Sequence, residues 1–126
     1  MNERHRFRAW LKTAPQRMVD VDCIDYTGNK IWYDKTLSCS LDDVILLVCT
    51  GFPDKNNKLI YEGDVVKIFI TLKYFEIAII KWREYIPEFI AECIESEQLY
   101  NIGYHIDIEI IGNIYENDFT KGGESE

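Results

Sequence analysis

The sequence predicts a mostly-β protein with at most one or two short helices. Aromatic residues make up 13% of the chain and Ile and Val are frequent, and both kinds of residue favour strands. Apolar and polar residues alternate along several segments, and Gly, Asn and Pro separate these segments. With 126 residues, the chain is long enough to bury one hydrophobic core.

The first alternating segment runs from Arg4 to Leu11 and predicts a strand with one half-buried apolar face. A second runs from Met18 to Tyr26, where Val19, Val21, Cys23 and Asp25 would share one face. Thr27-Gly28-Asn29 then supplies a turn, because Gly and Asn tolerate positive φ. Lys30 to Lys35 is therefore predicted to return as the second strand of a hairpin.

Leu41 to Cys49 combines two signals. Ser40, followed by Asp43 three residues later, resembles a helix N-cap with an acid in the first turn. The run from Val44 to Val48 is apolar on all sides, which suits a buried strand. We expect a short helical turn that leads into a buried strand.

Two further strands are predicted from Val65 to Lys73 and from Phe75 to Trp82, connected near Lys73 and Tyr74. Such a close succession requires antiparallel pairing. A final strand is predicted from Tyr104 to Ile114, and Gly112 within it indicates a bulge or a close backbone approach. Its predicted inward residues are Ile106, Ile108 and Ile110, and its outward ones are His105, Asp107 and Glu109.

Ile86 to Ile94 is the ambiguous element of the second half. Its apolar residues fall at helical spacing, and Pro87 suits a first helical turn. The same residues also fit a fully apolar strand flanked by charges. The pattern alone favours the helix.

Composition narrows the classes of function. The net charge is −8 and the pI about 4.8, so most of the surface would repel a phosphate backbone. The apolar runs are too short to span a membrane, and the N-terminus lacks a signal-like apolar region, which predicts a cytoplasmic protein. The four cysteines lack metal-site spacing and are expected to be buried or half-buried free thiols, with a redox pair or a metal shared across subunits as the alternative.

The charge is unevenly distributed. Residues 1–17 hold five basic residues and one acidic residue, whereas the remainder holds nine basic and 21 acidic residues. A basic edge on an acidic body suggests self-association or docking to an acidic partner. A strand with a solvated cationic face is the other interpretation.

Glu62 and Asp64, with Asp54 nearby, are the only acids whose spacing invites a chemical role. Two carboxylates across a glycine turn can serve catalysis or bind a ligand or metal. They can equally bond backbone N–H groups and hold the turn, which is the interpretation we favour. Glu62 and Asp64 alone supply too few ligands for a magnesium site.

Arg8 and Trp10 would share a strand face, where they could anchor an interface. Alternatively, Trp10 covers the end of the domain from an edge strand while Arg8 pairs with an acid such as Glu62. Tyr61, Trp82 and Tyr85 could form an aromatic platform beside Lys58, as in barrels that bind single-stranded nucleic acid. Acidic neighbours dilute the cations there, so core packing or a protein interface is the favoured role.

No other catalytic pattern is present. There is no nucleophile elbow, no P-loop and no dinucleotide fingerprint. The two histidines, His5 and His105, each fall on a predicted strand. We therefore predict neither an enzyme nor a cofactor.

Three segments together are similar to the YopX family of bacteriophage and prophage proteins. They are Phe7-Arg8-Ala9-Trp10, the stretch Thr50 to Val66 (TGFPDKNNKLIYEGDVV), and Ile110 to Asn117 (IIGNIYEN). They lie in the family's order and span nearly the whole chain. Two departures are Phe52-Pro53 with Asn57 in the central turn, and Asp118 where the family usually has Pro.

The resemblance implies an SH3-like β-barrel and places the strand and helix interpretations of Ile86 to Ile94 on an equal footing. It carries no assigned activity. The expected organisation is an N-terminal β-rich segment over residues 1–49, an SH3-like barrel over residues 50–117 and a flexible tail over residues 118–126, together one compact unit.

The expected function is a phage or prophage accessory or regulatory protein in the cytoplasm of the infected bacterial host. It would act through protein–protein contacts, as a homo-oligomer or with a host or phage protein. The alternative is nucleic-acid binding or mimicry of DNA, and a metal-dependent hydrolase is the least favoured. The residues expected to meet a partner or ligand are Arg8, Trp10, Asp54, Lys58, Tyr61, Glu62, Asp64 and Trp82.

Overall fold

A computed structural model describes residues 6–86, 88–102 and 107–116 of the protein. The predictions for Arg4, His5, His105, Ile106 and the tail over residues 118–126 lie outside these ranges. Within them the protein is mostly β, as predicted, with two antiparallel sheets. The strands are β1 Phe7–Leu11, β2 Arg17–Asp25, β3 Lys30–Tyr33, β4 Leu37–Ser40, β5 Val44–Pro53, β6 Leu59–Tyr61, β7 Asp64–Phe69, β8 Phe75–Arg83, β9 Glu88–Cys93, β10 Leu99–Asn101 and β11 Asp107–Asn113.

The chain divides into two compact units, Met1–Cys49 and Thr50–Glu126. In the first unit the strand order is β4-β3-β2-β1-β5, and every pair is antiparallel. The N-terminal alternation is confirmed over β1, where Ala9 and Leu11 are buried. The buried core of this unit consists of Ala9, Leu11, Val19, Val21, Ile31 and Val44.

The predicted alternation along β2 is right for its first half and wrong for its second. Val19 and Val21 are buried, but the register against β3 shifts between Val21 and Cys23. This bulge inserts one residue, Asp22, and so moves Ile24 to the core face and leaves Cys23 exposed. The expectation that all the cysteines are buried or half-buried is therefore wrong for Cys23.

The predicted cap at Ser40 is confirmed. A single 3-10 turn spans Leu41–Asp43, and the Ser40 hydroxyl accepts a hydrogen bond from the Asp42 N–H at 3.0 Å. The strand that follows, β5, is less buried than predicted, because Ile45 and Val48 are exposed. Among the apolar residues of β5, Val44 and Leu47 are the fully buried ones.

The second unit contains a sheet of order β10-β9-β8-β7-β11, and the end of β5 pairs there with β6. The predicted antiparallel meander is confirmed, but β7 ends at Phe69 rather than Lys73. A turn replaces the last four predicted residues, because the Thr71 hydroxyl accepts hydrogen bonds from the N–H groups of Lys73 and Tyr74. The buried core consists of Ile60, Val66, Ile68, Ala78, Ile80, Ala91, Cys93, Ile102 and Ile108.

The ambiguous segment is a strand, so its helical interpretation is wrong. Glu88–Cys93 pairs along its whole length with β8, and β10 pairs with its other edge. Ile90, Ala91 and Cys93 are all buried within it. Pairing on both sides outweighs the helical spacing of a six-residue segment.

The predicted bulge at Gly112 is confirmed. The register between β7 and β11 shifts between Ile110 and Gly112. The extra residue turns Asn113 inward, where it is buried opposite Asp64. The barrel closure that the family resemblance implies stays a prediction.

Candidate functional site

Asp54 is a structural clamp. Its carboxylate is 6% exposed and accepts hydrogen bonds from the N–H groups of Asn56 at 2.8 Å, Lys58 at 2.9 Å and Ile110 at 3.0 Å. Burial alone would raise the pKa of Asp54, but these three donors outweigh it and hold the pKa below its ordinary value. The Asp54 carboxylate is therefore hydrogen-bonded to the backbone of its own loop and of β11.

The same loop also bonds β11 through its backbone. The Lys55 N–H donates to the Ile108 carbonyl at 2.7 Å, and the Asp54 N–H donates to the Lys58 carbonyl at 2.7 Å. Asn57 has a φ of 67°, which confirms that this asparagine takes the left-handed conformation at the turn. The side chain of Lys58 is exposed, and its charge also helps to lower the pKa of Asp54.

Glu62-Gly63-Asp64 is a tight turn whose acids differ in role. Asp64 is 1% exposed and accepts a hydrogen bond from the Tyr61 N–H at 2.8 Å. Gly63 has a φ of 90°, donates to the Ile80 carbonyl and accepts from the Ile114 N–H. Glu62 is half-buried beside Tyr115, whose pKa is raised by burial and by the Glu62 charge.

These contacts support the structural interpretation of the three acids. Asp54 and Asp64 hold different stretches of backbone, and neither carboxylate faces open solvent. Within the described ranges, no three side chains of the His, Cys, Asp and Glu types lie close enough together to hold a metal ion.

Arg8 and Trp10 lie on the same face of β1, as predicted, and both are half-buried. β1 is hydrogen-bonded to β2 on one side and to β5 on the other, so the expectation of an edge strand is wrong. Arg8 is opposite Asp20 in the register, and Trp10 is opposite Met18 and Ile45. Among the other N-terminal cations, Arg17 forms an ion pair with Asp34 at 2.7 Å.

The aromatic platform does not form as the sequence suggested. Tyr61 is buried, so it offers no ring face to a base. Trp82 is exposed along part of its surface and packs edge-on against Phe89, with ring centroids 4.8 Å apart. The flanking cations are also engaged, since Lys81 pairs with Glu92 and Arg83 pairs with Glu88. Lys58, the other cation beside the predicted platform, is exposed.

A polar cluster around Glu76 was not predicted. Its carboxylate accepts hydrogen bonds from the hydroxyls of Ser96 at 2.6 Å and Tyr74 at 3.3 Å. The Ser96 hydrogen bond holds the pKa of Glu76 below its ordinary value. Burial, together with Glu76, raises the pKa of the Cys93 thiol to about 11. Such a thiol is a poor nucleophile at neutral pH.

The most exposed of the large apolar side chains in the second unit lie at the ends of hairpins. Leu72 in the β7–β8 turn is fully exposed, and Ile70 and Tyr74 of the same turn are also exposed. At the other end of β8, Tyr85 is 97% exposed and Ile86 is exposed. A groove of about 620 Å³ lies beside the first turn, lined by Lys55, Phe69, Ile70, Thr71, Leu72, Tyr100 and Asp107.

A family model described as YopX protein matches residues 6–118, which is most of the chain. The chain belongs to the YopX protein family. The match covers all eleven strands of this YopX-family chain. No curated protein matches its sequence. None of the described helical segments has the length and apolar character needed to cross a membrane.

Proposed function

We propose that this YopX-family chain is a non-enzymatic accessory or regulatory protein, of the kind that phages and prophages encode. It acts through protein–protein contacts in the cytoplasm of a bacterial host and associates with itself. The observation that carries this proposal is the exposure of large apolar side chains at both ends of β8. Exposing the apolar surface of Leu72 and Tyr85 to water is unfavourable in free energy. Contact with a partner would remove that surface from water.

The acids support the same conclusion by exclusion. Of the three acids considered for chemistry, Glu62, Asp64 and Asp54, the last two accept backbone hydrogen bonds. We therefore assign partner binding to the hairpin ends rather than to these acids. Trp82 lies near the second of these ends and contributes a partly exposed ring.

The charge distribution supports self-association. Arg6 and Lys12 are exposed in the basic N-terminal part of a chain whose net charge is −8. Opposite charges on two copies increase the rate of encounter and make association sensitive to salt. The basic strand of one copy would meet the acidic body of another.

Sedimentation velocity at low and high salt tests self-association. We expect a concentration-dependent dimer or larger species that weakens as salt rises. A monomer under both conditions, at every concentration tested, would remove this part of the proposal.

Leu72→Ser and Tyr85→Ser test the hairpin ends. Affinity capture from lysate of the bacterial host should lose its specific bands with either variant, since each removes exposed apolar surface. Tyr26→Ser is the matched control, because Tyr26 is an exposed aromatic residue in a turn of the first unit. Equal capture by all three variants would contradict the assignment.

A further inference from the structure

We propose that the edge strand β4 pairs antiparallel with β4 of a second copy about a two-fold axis at Ser38, so that two first-unit sheets become one. This inference rests on the proposed self-association and adds to it a contact surface, β4, that is separate from the basic N-terminal strand. It is carried by the register of β4, by the residues along its free edge and by what a second copy would place beside them.

The register shows which backbone groups of β4 point outward. The Leu41 N–H donates to the Asn29 carbonyl at 3.0 Å, so residues 29 and 41 form a hydrogen-bonded pair. Hydrogen-bonded pairs alternate in an antiparallel ladder, so Cys39 and Leu37 direct their backbone groups towards β3. The N–H and C=O of Ser38 and the N–H of Ser40 therefore point away from the sheet.

β4 also lacks the usual protection of an edge. Natural edge strands carry Lys, Pro or a bulge that discourages pairing with another strand. β4 reads Leu-Ser-Cys-Ser, with no charge and no Pro, and its register against β3 has no bulge. Among the described strands, β4 is the last in the order, so no described strand pairs with its outer edge.

A two-fold axis at Ser38 gives this edge a self-complementary partner. The two Ser38 residues would exchange a pair of N–H to C=O hydrogen bonds, and Ser40 would lie opposite Thr36 of the second copy. Leu37, which is 46% exposed, would pack directly against Cys39 of the second copy in a non-hydrogen-bonded pair. Cys39 already packs against the core, so the contact would extend that apolar face.

The flanking charges fit the same arrangement. Lys35 is exposed just before β4, and Asp42 is exposed just after it. This register places Lys35 of one copy opposite Leu41 of the other, one residue from Asp42, twice per dimer. Asp34 would lie opposite Asp42, but its charge is already matched by Arg17.

Ser38→Pro tests the outward hydrogen bonds. Proline removes the Ser38 N–H, which points away from β3, so the ladder within the chain keeps its bonds. We expect the dimer to dissociate at least about tenfold more readily by sedimentation equilibrium, as expected for the loss of two hydrogen bonds. Ser38→Ala keeps the N–H and should associate like the native chain, and circular dichroism checks that both variants are folded.

Leu37→Cys in a Cys23→Ser background tests the register without weakening β4. A thiol at position 37 would face Cys39 of the second copy at a separation that suits a disulfide. Oxidation with diamide should give a dimer on a non-reducing gel, and adding Cys39→Ser should abolish it.

The outcomes separate this inference from the proposed function. A native chain that is monomeric throughout overturns both the β4 contact and the proposed self-association, and leaves binding to a host or phage protein standing. A native dimer that persists in a folded Ser38→Pro variant, or that gives no Cys39-dependent cross-link, overturns the β4 contact and leaves self-association standing.

Discussion

Two strands lie at the ends of their sheets, β11 in the second unit and β4 in the first, and they differ in whether their outward backbone groups are hydrogen-bonded within the chain. On β11, the outward carbonyl of Ile108 and the outward N–H of Ile110 are both bonded by the loop that contains Asp54 and Lys55. On β4, the corresponding groups of Ser38 have no such loop, and the side chains along the edge are uncharged. One edge is closed within the chain, whereas the other is the edge that we propose pairs with a second copy.

The difference between the two edges indicates which part of this protein to test for function. Asp54, one of the acids of the central motif, closes the β11 edge, which is a structural role. An edge that is neither covered nor charged is a liability unless something pairs with it. We therefore propose that Leu37 to Ser40 are better candidates for partner binding than the acidic turn.

Asp54→Ala is expected to have the largest effect, because it opens the closed edge. The variant loses three hydrogen bonds to a charged acceptor and leaves their donors unsatisfied, a loss of about 3 kcal/mol in the free energy of unfolding. Urea unfolding measures this loss. Asp25→Ala is the control, since Asp25 accepts one N–H, that of Gly28, in an exposed turn. Similar losses in both variants would mean that Asp54 is no clamp.

Amide hydrogen exchange compares the two edges directly. The Ile110 N–H is bonded to a buried carboxylate, so we expect it to exchange at least about tenfold more slowly than the Ser38 N–H in dilute protein. Raising the protein concentration should slow Ser38 and leave Ile110 unchanged. A Ser38 amide already protected at the lowest concentration would show that β4 is covered within its own chain.

The smallest expected effect is the pH dependence of the clamp. The folded pKa of Asp54 lies below its unfolded value, so its ionised form stabilises the protein above the unfolded value of about 4. That stability is lost as the pH falls through the folded pKa. The advantage of the native chain over Asp54→Asn in urea unfolding should therefore shrink towards acid pH. An advantage that stays constant from neutral to acid pH would contradict the assignment.

Much of the fold was predictable because local chemistry and tertiary structure agree. The turn at residues 27–29, the Ser40 cap, the β7–β8 meander and the Gly112 bulge all follow from residues within a few positions of each other. The strand from Glu88 to Cys93 was not decided by its own pattern. Its pairing with β8 and β10 settles it, and such pairing is invisible in a six-residue window.

The candidate site shows the same limit. The sequence singled out Glu62 and Asp64, with Asp54 nearby, and favoured a structural role for them. It could not show that Asp54 reaches Ile110, 56 residues away. The Glu76 cluster and the outward face of Ser38 depend on which strands become neighbours, and no local motif marks either. The sequence did not reveal that Tyr61 is buried, because an aromatic residue with charged neighbours gives the same sequence pattern whether it is buried or exposed.

The bulge in β2 bears on the open edge in a further way. Without Asp22 the alternation from Val21 to Asp25 would be perfect, so the chain carries a one-residue insertion that disrupts its own ladder. The inserted carboxylate accepts the Lys35 N–H at 2.7 Å, in a turn where Asp34 and Lys35 both have positive φ. The insertion thus acts as a tether on the hairpin that presents β4. Deleting Asp22 would leave the core residues in place but would remove the hydrogen bond that holds the turn between β3 and β4.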